Sequence, residues 1–226
     1  MTRQLAFAAL LVFTVSFAAS APAKVSIEYE LKKGGLALGS AVETFTRDGE
    51  SYVIESEVRG LGGLLGTLKR RSEGSVTASG LRPELYLDQR NGKPYASARF
   101  DWNSKQVTLE REGRPKKVIE VKGETHDPLS FAYSFALRSM PSQQIDFSLA
   151  DGRRSKPHRL LLRGKEKLST PMGELDTLHY AEREEDGSVT EFWLSPSHSF
   201  LPVRVLYVDE DGAALDQVAT KIHLQS

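Results

Sequence analysis

Apolar and polar residues alternate one for one through much of this chain, and that pattern limits the fold more than any other feature. Val25, Ile27, Tyr29 and Leu31 are separated by Ser26, Glu28 and Glu30. Successive side chains of a strand point to opposite faces, so the pattern predicts a half-buried strand. The alternation recurs through 51–58, around Val107 and Leu109, around Ile119 and Val121, and along Ile145, Phe147 and Leu149. Further strands are expected at 159–163, 175–182, 189–194, 203–208 and 217–223.

Turn signals punctuate these runs. Asp48-Gly49, Asn91-Gly92, Asp151-Gly152, Asp186-Gly187 and Asp211-Gly212 accept the positive φ that tight hairpins require. Many short strands divided in this way predict a sandwich or a barrel, and strands do not alternate with long helices as in a parallel α/β sheet. One segment, 127–138, departs from the pattern. Asp127 suits a helix cap and Pro128 the first turn. Leu129, Tyr133 and Ala136 share one stripe, while Phe131 and Phe135 share the next. A helix apolar on most faces belongs inside. The expected fold is therefore mainly β: a curved antiparallel sheet or incomplete β-barrel with one apolar helix packed on the concave face.

The first residues read as a leader. Arg3 precedes an apolar run at 5–19, and Ser20-Ala21-Pro22-Ala23 follows. That order is a secretory signal peptide, expected to span 1–23, with cleavage after Ala23 or after Ser20. The run is about 15 residues, short of the roughly 20 that span a bilayer as a helix. An uncleaved signal anchor is the alternative. No later segment is long and apolar enough to cross a membrane, so 24–226 is expected to form one β-rich domain without a transmembrane span.

The chain has no cysteine, which excludes disulfides, thiolate metal sites, cysteine nucleophiles and a lipid-bearing cysteine. An exported chain without disulfides fits the bacterial periplasm. Lys and Arg number 30, as do Asp and Glu, so no global field steers the protein to nucleic acid or anionic lipid. The basic runs Lys69-Arg70-Arg71 and Arg114-Pro115-Lys116-Lys117 read as solvated strand edges.

Signs of chemistry are sparse. The five histidines lack metal-ligand spacing, and no Gly-x-Ser-x-Gly elbow, phosphate loop or dinucleotide fingerprint occurs. No cofactor is expected. Ser195-Pro196-Ser197-His198 sets serines beside a histidine, but triad members must converge in space, so the segment reads as a turn. The acidic runs ending at Asp186-Gly187 and Asp211-Gly212 read as exposed hairpin turns. The Gly/Leu stretch at 60–68 is too glycine-rich for a regular helix. Its leucines either fold onto the core or form an exposed contact loop for lipid or a partner.

Several segments in order carry a resemblance. They are Gly35-Leu36-Ala37-Leu38-Gly39, the Gly/Leu loop before a basic strand and Ser72-Glu73-Gly74, and Gly80-Leu81-Arg82-Pro83. Phe100-Asp101-Trp102, Asp127-Pro128-Leu129-Ser130 and Thr170-Pro171-Met172-Gly173 follow, then Phe192-Trp193-Leu194-Ser195-Pro196 and Leu201-Pro202-Val203-Arg204. Together they resemble the bacterial domain of unknown function number 3108 family over nearly all of the mature chain. The resemblance implies an exported protein, mainly of Gram-negative bacteria, with no established activity. It also implies an architecture similar to periplasmic lipoprotein-carrier proteins, a curved and incompletely closed sheet around a helix.

The leading functional expectation is a non-catalytic periplasmic binding or carrier-like module. Its ligand would be apolar, a lipid or acyl chain, held by Leu64, Leu65, Phe100, Trp102, Phe131 and Phe135. An envelope scaffold with a protein partner is the alternative, and a hydrolase is a third reading for which no nucleophile, base and orienter can be named together.

Overall fold

The computed structural model describes residues 22–61, 66–137 and 142–225. The first half of the chain forms strands β1 (Lys24–Lys33), β2 (Leu36–Asp48), β3 (Ser51–Gly60), β4 (Thr67–Thr77), β5 (Gly80–Arg90), β6 (Lys93–Asp101), β7 (Gln106–Arg111), β8 (Lys117–Glu120) and β9 (Thr125–His126). Helix α1 (Pro128–Ser134) follows. The second half forms β10 (Gln144–Ala150), β11 (Ser155–Thr170), β12 (Gly173–Arg183), β13 (Val189–Ser195), β14 (Leu201–Val208) and β15 (Ala214–Gln225). The expected hairpins are present, with Asn91 and Gly92 at φ 50 and 76.

All fifteen strands lie in one open sheet, in the order β8-β7-β6-β5-β4-β3-β2-β1-β15-β14-β13-β12-β11-β10-β9. The first and last strands meet in the middle of this sheet, because β1 pairs with β15. Two meanders spread outward as wings. Their outermost strands, β8 and β9, are consecutive in sequence, so residues 121–124 carry the chain across the seam between the two edges. β9 runs parallel to β10, which makes the sheet mixed and not purely antiparallel. The turn after β10 also meets the opposite wing. A Cβ on Gly152 would lie 2.6 Å from the Ser97 amide nitrogen in β6, and Gly152 sits at φ 81. Both facts call for glycine there.

The sheet folds around α1. Asp127 caps the helix by accepting from the amides of Leu129 (2.8 Å) and Ser130 (3.0 Å), and Ser130 Oγ accepts from the Asp127 amide at 3.0 Å. This reciprocal arrangement satisfies orphan donors at the first turn. The helix is shorter than the 127–138 expected. Ser134 Oγ donates to the Phe131 carbonyl, the acceptor of the next α-helical bond, and the chain tightens into a 3-10 turn at Phe135–Leu137.

The two apolar stripes of α1 serve two cores. Leu129 and Tyr133 join Ile27, Phe45, Tyr52 and Tyr86 of the first wing. Phe131 and Phe135 join Phe147, Leu160, Tyr180 and Leu194 of the second. Phe131 stacks on Phe147 with centroids 3.7 Å apart, and Tyr133 stacks on Phe45 at 5.6 Å.

One expectation is corrected by this topology. Lys69, Arg70 and Arg71 are not on a sheet edge, because β4 lies between β3 and β5. Lys117, in contrast, does lie on the edge strand β8.

Two substitutions test this account. Asp127→Ala removes the cap and the acceptor of the Ser72 hydroxyl, leaving Ser72 with Tyr52 alone, and should lower unfolding free energy by about 2–4 kcal/mol in urea titrations. Gly152→Ala should cost more than the roughly 1 kcal/mol typical of a positive-φ glycine, because the added methyl also meets backbone. An unchanged urea midpoint for Gly152→Ala would contradict the docking of this turn.

Candidate functional site

Register places an unusual row on the inner face of the first wing. Glu43 of β2 pairs with Ser56 of β3, Ser56 with Arg70 of β4, and Arg70 with Asp88 of β5. These positions share a face with the core residues Phe45, Ile54 and Tyr86, so the row points inward. Glu43 is only 9% exposed and Asp88 5%. Ser56 Oγ donates to Glu43 Oε1 at 3.3 Å. Tyr133 descends from α1 beside Glu43 without completing a well-formed hydrogen bond.

Burial pushes the Glu43 carboxyl above its ordinary range, although Arg70, Ser56 and Tyr133 each oppose the shift. Burial, with the Glu43 charge second, likewise raises the Tyr133 hydroxyl. Arg70 Nε, Asp88 Oδ1 and Tyr133 Oη are buried without a hydrogen-bond partner. A second buried carboxylate lies nearby: Asp127 accepts from Ser72 Oγ of β4 at 2.6 Å, and Ser72 Oγ also contacts Tyr52 Oη at 3.1 Å. Burial raises Asp127 as well, against its hydrogen bonds. Unpaired buried polar groups cost stability, so such a concentration marks a place where more than packing is at work.

The sheet is concave again where β10, β12 and β14 end. A cavity of about 510 Å³ is floored by Pro128 and Leu149 and walled by Lys156, His158, Thr190 and Tyr207. The acidic turns contribute Glu184, Asp186, Asp209 and Glu210 to it. Sequence reading separated these turns; the fold gathers them around one mouth.

His158, Glu182 and Glu184 place ligand atoms within 4.8 Å of one another, a set able in principle to hold a cation. Each is already engaged. His158 Nδ1 bonds Glu182 Oε2 at 2.8 Å, the Arg159 amide donates to Glu182 Oε1 at 2.9 Å, and the Lys156 ammonium contacts Glu184. Burial would raise Glu182, but the bonds from His158 and Arg159 prevail and hold it below its ordinary range. All three groups of the trio thus already have partners within the protein.

The six residues expected to bind ligand are distributed between the cores. Phe131 and Phe135 lie in the second core and Phe100 in the first, all buried. Trp102 sits just past β6, half-buried and stacked on Phe100 at 5.8 Å, with its Nε1 donating to the Pro83 carbonyl at 2.6 Å. It borders a surface pocket of about 360 Å³ together with Thr77, Leu81, Arg82 and His126. Leu64 and Leu65 lie outside the described residues.

Ser195 and Ser197 both contact His198 Nδ1, at 3.0 and 3.1 Å. The contact is local to the 3-10 turn Pro196–His198. Among the described residues no carboxylate bonds His198, so the pair lacks the orienting group of a triad.

No curated protein matches the sequence. Solved structures show a fold relative. A β-barrel-like DUF1849 protein from Brucella abortus superposes with a TM-score of 0.57 at 10% identity, covering 91% of this chain and 99% of its own. A candidate lipoprotein of Parabacteroides distasonis (TM-score 0.38, 8% identity, 89% and 95% covered) and a candidate outer membrane lipoprotein-sorting domain of Vibrio parahaemolyticus (TM-score 0.28, 11% identity, 90% and 85% covered) are too distant to carry an argument. No helix of the described residues is long and apolar enough to cross a membrane. The ordered motifs, the curved sheet around a capped helix and a match over residues 25–218 agree, and the chain belongs to the family described as Protein of unknown function (DUF3108).

Proposed function

We propose that this is an exported, periplasmic, non-catalytic binding module for an amphipathic ligand such as a lipid or acyl chain. The observation that carries this reading is the inner row Glu43, Ser56, Arg70 and Asp88. It sets buried polar atoms without partners next to an aromatic interior. A ligand with a polar head and an apolar body complements both features at once. Arg70 and the Tyr133 hydroxyl receive the head. The apolar body lies against Phe100 and Trp102, which belong to the same core as Tyr133. The signal-like sequence at 1–23 supports export. The absence of an assembled nucleophile, base and orienter among the described residues favours binding over hydrolysis.

Mass spectrometry of the native protein after gentle purification should reveal co-purified lipid, and a fluorescent fatty acid should be taken up. The absence of both co-purified lipid and uptake would contradict the proposal. Arg70→Met keeps an unbranched apolar stem and removes the guanidinium. It should weaken fatty-acid binding about tenfold to a hundredfold, the loss expected for a charged hydrogen bond of roughly 1.5–3 kcal/mol. Unaltered affinity would place the head elsewhere.

The row also sets a pH dependence. Glu43 has a folded-state pKa above its ordinary 4.5, so the folded state holds its proton more tightly than the unfolded chain. The resulting stabilisation is complete below the ordinary value and is lost as pH rises through the raised one. Glu43→Gln should therefore flatten the rise in stability on acidification through that window, and should be neutral or stabilising at pH 7. A steeper slope in Glu43→Gln would show that the carboxylate is favoured in the fold.

A further inference from the structure

We infer that the rim of the half-barrel at the β1–β2, β5–β6 and β7–β8 turns and the end of β3 is a docking surface for an anionic lipid bilayer. This goes beyond the ligand reading and does not depend on it. Leu36 is 77% exposed at the tip of the Gly34-Gly35 hairpin, and Leu61 is 55% exposed where β3 ends. Antiparallel pairing brings both to the same end of the sheet. Leu36 also heads a lip across the mouth. It pairs with Lys33 of β1, Lys33 with Leu215 of β15, and Leu215 with Tyr207 of β14. Leu215 and Tyr207 are exposed too.

Charge selects the occupant. Lys32, Lys33, Arg59, Lys69, Arg90, Lys93, Arg114, Lys116 and Lys117 crowd these turns and the strand ends beside them, against Glu30, Glu57, Asp88, Glu110 and Glu112 over the same stretches. Glu30, Glu57, Asp88 and Glu110 pair with Lys32, with Arg59 and Lys69, with Arg90 and with Lys116, but Arg59, Lys69 and Lys116 stay largely in solvent, where such pairs leave them able to meet other anions. The acidic turns at Glu184–Asp186 and Asp209–Asp211 sit on the other wing. The protein is neutral overall, yet its rim is divided into a basic, leucine-tipped side and a mostly acidic side. Exposed leucine flanked by lysine and arginine is the composition of an interfacial anchor on anionic lipid. Contact is made by the basic first wing together with the Leu36–Tyr207 lip that adjoins it.

The test is sedimentation of the purified mature chain with vesicles of phosphatidylglycerol and, separately, of phosphatidylcholine. Binding to phosphatidylglycerol alone, weakening with added salt, is expected. Leu36→Asp with Leu61→Asp, and separately Lys33→Glu with Lys93→Glu, should each lower partitioning about tenfold or more. All four positions are at the surface, so the urea midpoint should hold. Equal binding to both lipids, no binding at low salt, or variants that partition like the parent would overturn the inference. So would a dimer in analytical ultracentrifugation that the charge reversal dissolves, because the acidic turns of a second copy would then be the partner.

Discussion

Asp127 is the point through which the two wings of the sheet and the helix are joined. Its carboxylate is fully buried, caps α1 with two amide bonds and accepts the Ser72 hydroxyl of β4. A short helix of this kind is not stable alone. Here it follows directly on the strand that crosses the seam, and its first turn is fixed to the opposite wing. The aromatic stripes of α1 then have defined targets, Phe45 on one side and Phe147 on the other. Without that anchor the open sheet would have no common centre, because β8 and β9 do not close it by hydrogen bonding.

A packed aromatic interior would be more stable without charges. The row from Glu43 to Asp88 runs against that preference, and three of the buried polar atoms around it are unpaired. Burial of paired charge gives little net stability, and unpaired burial costs it. The cation–π contact of Arg204 on Trp193, supported by a bidentate pairing with Asp216, shows what a structurally satisfied arginine looks like in the same protein. Arg70 has no such partners at its Nε. That contrast between two arginines is the physical basis for the binding role proposed for Arg70.

The strand pattern, the hairpin turns, the helix cap and the two helical stripes were legible because each depends on local periodicity or backbone conformation. Trp193 and Phe192 fell to different cores, as adjacent residues of a strand must. The polar row was not legible. Glu43, Arg70 and Asp88 are far apart in sequence and meet only through register, which periodicity alone does not fix. A weak signal existed: Glu43 occupies the same parity as Ala41 and Phe45, where an apolar residue belongs. The basic run of β4 was misplaced for a related reason. Charge marks exposure on average, but an inner strand alternates its basic residues between the faces, with Lys69 and Arg71 outside and Arg70 within. The gathering of the acidic turns at one mouth likewise depends on the order of strands in the sheet.

The central claim is that the interior row receives the polar head of a ligand. It is tested most directly by following the Arg70 Nε–H resonance in ¹H–¹⁵N spectra during titration with a fatty acid. The account predicts a shifted resonance with slowed exchange as the head occupies the row. A ligand that binds and leaves Arg70 Nε–H unchanged would contradict it.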